Sequence, residues 1–92
     1  MRDIETLKLV AFVLGSEQRK KIFEKLSEHV AMSPTAIANE CSIVRGNVST
    51  LLKQMVEKEL VVCLNPEANK ARIYCLTEIG EKVHNHLEDV LM

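Results

Sequence analysis

Aromatic residues are scarce in this chain of 92: two Phe, one Tyr and no Trp. Leu, Ile, Val and Met must therefore fill its core, which makes that core aliphatic and modest. Cysteine is also sparse, and odd in number. Cys41, Cys63 and Cys75 stand 22 and 12 positions apart, which writes neither a disulfide framework nor a paired zinc knuckle. They read as small buried hydrophobes. A thiol pair formed by Cys63 facing Cys75 across a hairpin stays open, because spacing does not set the register. No run of about 18 apolar residues occurs. The stretch from Leu9 to Leu14 is too short for a membrane span and lacks a signal-cleavage pattern, so a soluble, cytoplasmic chain without a membrane partner is expected.

Catalytic signatures are missing too. There is no glycine-rich phosphate loop, no His-Glu-x-x-His, and no Ser or Cys set beside a His–carboxylate arrangement, so neither an enzyme nor a cofactor is expected. Nor does charge of one sign dominate: 12 Lys and Arg against 13 Asp and Glu leave a net charge of -1. Distribution says more than the total. From Val44 to Tyr74 five basic residues (Arg45, Lys53, Lys58, Lys70, Arg72) face three acidic ones (Glu57, Glu59, Glu67), whereas Thr77 to Met92 holds four acidic residues and only Lys82. A mildly basic middle and an acidic tail keep the tail away from phosphates.

What is present fits one compact domain, residues 1–92, with 47% apolar and 27% charged residues. So short a chain buries limited surface, and self-association through leftover apolar helix faces is expected. Asp3 to Leu14 repeats apolar residues at Ile4, Leu7, Ala11 and Leu14, while Leu9, Val10, Phe12 and Val13 make its last turns apolar all round; this helix is either deeply buried or shared with a second chain. Ser16 caps a second helix that runs to about His29, with Ile22, Phe23, Leu26 and Val30 as its stripe and Arg19, Lys20 and Lys21 projecting elsewhere. Ser33-Pro34 starts a short third helix ending near Cys41. After the tight turn Ser42-Ile43-Val44, Val48, Leu51, Leu52, Met55, Val56 and Leu60 mark the buried face of a longer helix over 45–59. Val61–Leu64 and Arg72–Leu76 read as strands of a hairpin with a polar tip at 65–72. Thr77 caps a last helix over 77–91 whose stripe is Ile79, Val83, Leu87, Val90 and Leu91. The fold class is mainly α with a small β-hairpin: a winged helix-turn-helix with extra N- and C-terminal helices.

Opposite its buried face, helix 45–59 carries Gly46, Asn47, Thr50, Lys53, Gln54 and Glu57, with Arg45 and Ser49 at the margins. These are hydrogen-bonding groups suited to base edges: Asn47 to adenine, Arg45 to guanine or phosphate, Thr50 to a base edge or a thymine methyl. Gly46 removes a side chain where the helix N-terminus would approach DNA most closely. Asn69, Lys70 and Arg72 at the hairpin tip offer phosphate or minor-groove contacts, and Ser33 and Thr35 offer a hydroxyl and an amide-rich helix terminus to a phosphate on the other flank.

From Ser33 to Gly80, about half of its length, the chain resembles winged helix-turn-helix regulators of the MarR and ArsR type. The clearest motif is Leu76-Thr77-Glu78-Ile79-Gly80 after Arg72-Ile73-Tyr74, and Val48-Ser49-Thr50-Leu51-Leu52-Lys53 is similar to the recognition helix. The resemblance implies a prokaryotic, homodimeric transcription regulator that binds double-stranded DNA. It places the residues matching Arg45, Asn47, Ser49, Thr50 and Lys53 on DNA and the terminal helices, about 3–14 and 77–91, between subunits. Three positions depart from the pattern: Ser42 and Glu59 stand where glycine is usual and Val44 where a Ser or Thr cap is usual. Ser42 must then accept an unfavourable backbone conformation. His84 and His86 point in different directions on a helix, leaving only two-ligand pairs with Glu88 and Asp89, so no metal site is assigned, and sensing by these histidines or by Cys63 and Cys75 stays open. The rival function is a winged-helix protein-interaction module without DNA binding, which near-neutral charge suits but a polar reading face does not.

Overall fold

The computed structural model describes residues 4–91, with side chains to Asp89. Five helices and one hairpin follow in the order α1 (Ile4–Leu14), α2 (Glu17–Ser27), α3 (Pro34–Cys41), α4 (Arg45–Glu57), β1 (Val61–Cys63), β2 (Tyr74–Leu76) and α5 (Glu78–Leu91). Asp3 and the side chains of Val90 and Leu91, assigned to terminal helices from the sequence, lie outside the described residues.

Phe23 is fully buried in the core, with Ile22 and Leu26 of the same helix. Full burial of each such side chain contributes about 1.5–3 kcal/mol. Ile37 from α3, Val48, Leu52 and Met55 from α4, Leu60 and Val61 at the start of the hairpin, and Val83 and Leu87 from α5 close around them. The core is aliphatic, as composition requires. Val30, expected in the α2 stripe, is 93% exposed: α2 stops at Ser27, and Glu28 closes it through its amide to Leu26 and Lys25 carbonyls, so Val30 falls beyond the helical period. Val56 and Ile79 likewise emerge at the surface instead of joining the buried faces of α4 and α5.

Helix α1 buries Thr6, Val10 and Val13, one turn-spaced face, against α2 and α5. The other stripe, Ile4, Leu7, Ala11 and Leu14, is open to solvent. Apolar residues all around the helix cannot reveal which stripe packs within one chain. Arg19 lies off the buried stripe of α2, as expected. Its guanidinium lies 3.9 Å from the centroid of the Phe12 ring, donates through Nε to the Phe12 carbonyl at 2.7 Å, and reaches Gln54 Oε1 at 3.4 Å. One side chain thus joins the end of α1, the start of α2 and helix α4. Gln54 is drawn out of the exposed arc expected for it.

All three helix caps read from the sequence, Ser16, Ser33 and Thr77, form. Ser16 accepts from the Arg19 amide at 3.2 Å and Ser33 from the Ala36 amide at 3.1 Å, with Pro34 at the first helical position, where no amide is needed. Ser42 ends α3 in the left-handed region, φ 56° and ψ 46°, and lets the Ile43 amide return to the Ala38 carbonyl at 3.0 Å. Glu59, φ 63°, does the same after α4, so that helix ends at Glu57 instead of running to 59. The two positions where glycine is expected are both left-handed without being glycine.

The hairpin is antiparallel, pairing Val61 with Leu76, Val62 with Cys75 and Cys63 with Tyr74. Its ladder is shorter than expected at each end: Leu64, Arg72 and Ile73 lie outside it, although the Leu64 amide still donates to the Ile73 carbonyl at 2.9 Å. The register separates Cys63 and Cys75, which are offset by one pair and so project from opposite sheet faces. They are not a cross-strand thiol pair, and all three cysteines are free. Of the three, Cys41 alone is buried. Burial pushes its thiol up from the usual range, keeping it protonated and unreactive at neutral pH.

Candidate nucleic-acid interface

Three separate pieces of chain meet at the front of the hairpin because of one short bridge. Met32 donates to the Tyr74 carbonyl at 2.9 Å and accepts from the Tyr74 amide at 2.8 Å, so the segment entering α3 runs as a third, single-residue strand beside β2. It brings Ser33 and Thr35 alongside the wing. Nothing periodic marks a one-residue bridge, and sequence patterning does not show it.

The result is a cleft of about 810 Å³ between the start of α3, α4 and the wing. Ser33, Thr35, Arg45, Ser49, Lys53, Asn69, Lys70 and Arg72 all line it, eight of the eleven residues selected from the sequence. Four of its side chains are Arg or Lys and none is Asp or Glu. A chain with net charge -1 therefore presents one wall of positive charge, while Glu67 of the wing does not enter it. Gly46, Asn47 and Thr50 do not line the cleft; they lie exposed on the outer arc of α4, toward its N-terminus. Cys63, Val56 and Tyr74, not selected from the sequence, form part of the cleft wall.

Several of these side chains already have internal partners, which limits what they can offer. The Ser33 oxygen accepts its cap bond and keeps its proton to donate outward. Thr50 donates to the Gly46 carbonyl at 3.2 Å. Arg72 turns back into the wing: Nε donates to the Ala68 carbonyl at 2.8 Å and Nη2 to the Pro66 carbonyl at 3.0 Å. Asn65 braces the other side, donating to the Ala71 carbonyl at 3.1 Å and accepting from the Ile73 amide at 2.9 Å. Together they hold a loop that lacks glycine and puts Ala71 at φ 57°. Asn69 and Lys70 at its tip are exposed, and neither of their side chains takes part in this bracing.

Gly46 is the least explained residue from within. A Cβ built there meets nothing within 4 Å, so no neighbour in the fold requires glycine. Glycine inside a helix costs about 1 kcal/mol relative to alanine. The contrast with Gly80 is sharp. There a Cβ would overlap the Leu60 carbonyl oxygen, so the last residue of the Leu76-Thr77-Glu78-Ile79-Gly80 motif is glycine for internal packing.

The arrangement, helices α2, α3 and α4 followed by a hairpin whose tip stands beside α4, is shared with known regulators. The chain is similar over 84% of its length to a MarR family transcription regulator, SP03579, with a TM-score of 0.75 and 22% identity. Its fold is the MarR winged-helix fold. A MepR mutant from S. aureus superposes on 95% of this chain with a TM-score of 0.76 at 20% identity, and NadR in complex with 4-hydroxyphenylacetate on 91% with a TM-score of 0.72 at 24% identity. In sequence, 73 residues, 78% of the chain, are 29% identical to the HTH-type transcriptional regulator FarR of Neisseria gonorrhoeae. No family model matches the chain. The chain spans half the length of FarR, 63% of that of NadR and 65% of that of MepR. These relatives are transcription regulators, not enzymes. Among the described residues no helix is long and apolar enough to cross a membrane, and no three His, Cys, Asp or Glu side chains form a metal-binding group.

Proposed function

We propose that this MarR-type domain is a homodimeric, cytoplasmic transcription regulator that binds double-stranded DNA sequence-specifically. Helix α4 enters the major groove, and the wing at 65–72 rests on the flanking backbone or minor groove. The observation that carries the reading is the acid-free cleft between α3, α4 and the wing, lined by Arg45, Lys53, Lys70 and Arg72. Such a wall binds the phosphate backbone, and the exposed polar arc of Gly46, Asn47 and Thr50 beside it reads base edges. FarR and SP03579, transcription regulators by name, supply the same expectation.

Each side chain then has a role. Ser33 and Thr35 at the α3 N-terminus and Lys70 and Asn69 on the wing contact phosphates on two flanks. Arg45, Asn47, Ser49, Thr50 and Lys53 face the groove between them, and Gly46 permits the close approach. The open stripe Ile4, Leu7, Ala11 and Leu14, together with the last helix, forms the subunit interface and sets two recognition helices about one DNA turn apart.

Selection of bound fragments from a random double-stranded DNA pool tests the reading, with light scattering to count subunits. A recurring, two-fold symmetric motif and a dimer are expected. Recovery of no motif would replace this reading with a protein-interaction module.

A further inference from the structure

Val44 heads the recognition helix as a large apolar side chain left 72% exposed. Its backbone belongs to the helix, since its carbonyl accepts from the Asn47 amide at 2.9 Å and the Val48 amide at 3.1 Å. Its side chain makes no cap bond, although a hydroxyl or carboxamide at that place would satisfy an open amide. Nor is it needed in the core, because Ile43 beside it fills that role and is buried. Neither capping nor packing accounts for valine here.

The surroundings point outward. Gly46, two residues on, leaves bare backbone with empty space above it. Thr50, one turn beyond Gly46, has committed its hydroxyl proton to the Gly46 carbonyl, which leaves a lone-pair acceptor and a methyl group. The N-terminal end of α4 thus combines a slot for close approach with methyl-bearing side chains. Among the base edges of a major groove only one group is apolar, the C5 methyl of thymine. The residues at the N-terminus of a recognition helix are the ones that reach those edges.

Resting on the DNA-binding reading above, we propose that Val44 is a specificity-determining residue that packs on a thymine C5 methyl in each half-site. Each thymine of the selected fragment is replaced in turn by uracil, which removes only that methyl, and binding of the full chain is measured for wild type, Val44→Ser and Val44→Ala. At one thymine per half-site, uracil is expected to weaken wild-type binding about threefold to fivefold, the worth of one buried methyl. That penalty should vanish in both variants. Val44→Ser supplies a good cap, so its thermal midpoint should be no lower than wild type, separating lost recognition from lost fold. Unchanged wild-type binding at every uracil position overturns the assignment, as does a penalty that survives in both variants. A pool selection that yields no DNA overturns it together with the reading on which it rests.

Discussion

The Thr77 hydroxyl donates to the Glu59 carbonyl at 2.6 Å, joining the start of the last helix to the left-handed residue that follows the end of α4. The same oxygen accepts from the Gly80 amide at 2.9 Å, and the Thr77 amide donates to the Leu60 carbonyl at 3.0 Å. One threonine is therefore both the cap of α5 and the strap that fixes the end of α4. Thr77→Val keeps the shape and removes both hydroxyl bonds. It is expected to cost about 1–3 kcal/mol in urea unfolding, more than loss of an isolated cap. A cost under about 0.5 kcal/mol would show that the strap contributes little.

Glycine substitutions at two positions should raise stability. Ser42 and Glu59 have φ of 56° and 63°, a region that costs a residue with a Cβ about 1–2 kcal/mol. Glycine occupies it without that strain but loses more chain entropy on folding. Ser42→Gly and Glu59→Gly should each stabilise by about 0.5–1 kcal/mol, read as a higher midpoint in thermal unfolding. A lower midpoint in both would contradict the strain argument.

Arg19 gives a third test. Removing its guanidinium leaves the Phe12 carbonyl without its 2.7 Å partner and uncovers the Phe12 ring. Arg19→Ala is expected to cost about 1.5–3 kcal/mol, because a charged hydrogen bond and a cation–π contact are lost together. Arg19→Lys should recover less than half of that, since an ammonium cannot make the same fork.

How far this molecule is legible in its sequence depends on the kind of signal. Ser33-Pro34, the α4 stripe through Val48, Leu52 and Met55, and the Thr77–Gly80 motif each act through local chemistry, and each forms where expected. Pairings between distant residues leave no such mark. The hairpin register that parts Cys63 from Cys75, the Met32–Tyr74 bridge and the Arg19–Gln54 contact depend on how whole elements dock. Long side chains add to this: Arg19 and Arg72 could reach solvent from their positions, yet both fold back onto carbonyl groups. Val30 and Val56 are misplaced for a simpler reason, since an apolar residue at the edge of a stripe need not be buried by it.

Arg72 separates positioning from direct contact within the wing. Its two bonds to the Ala68 and Pro66 carbonyls order the loop that presents Lys70. Arg72→Lys retains the charge but not the fork, so affinity for DNA should fall severalfold in wild type and hardly at all when Lys70 is already alanine. Equal losses in both backgrounds, read in a double-mutant cycle, would make Arg72 an independent phosphate contact.

Gly46 and Gly80 should respond in opposite directions. Gly46→Ala fills empty space in a helix and should stabilise the fold by about 0.5–1 kcal/mol while weakening DNA binding. Gly80→Ala drives a methyl into the Leu60 carbonyl and should cost about 2 kcal/mol or more. If Gly46→Ala bound the selected fragment as tightly as wild type, the close approach of α4 to DNA would be wrong.

The claim that α4 reads bases while the wing holds phosphates is tested most directly by one salt titration of DNA binding. It compares wild type, Asn47→Ala and Lys70→Ala on the selected fragment and on unrelated DNA. Asn47→Ala should lose about 1–3 kcal/mol on the selected fragment alone, with its salt slope unchanged. Lys70→Ala should weaken binding to both DNAs and flatten the slope by about 0.9 per protomer. Wild-type affinities and slopes for both variants would contradict it.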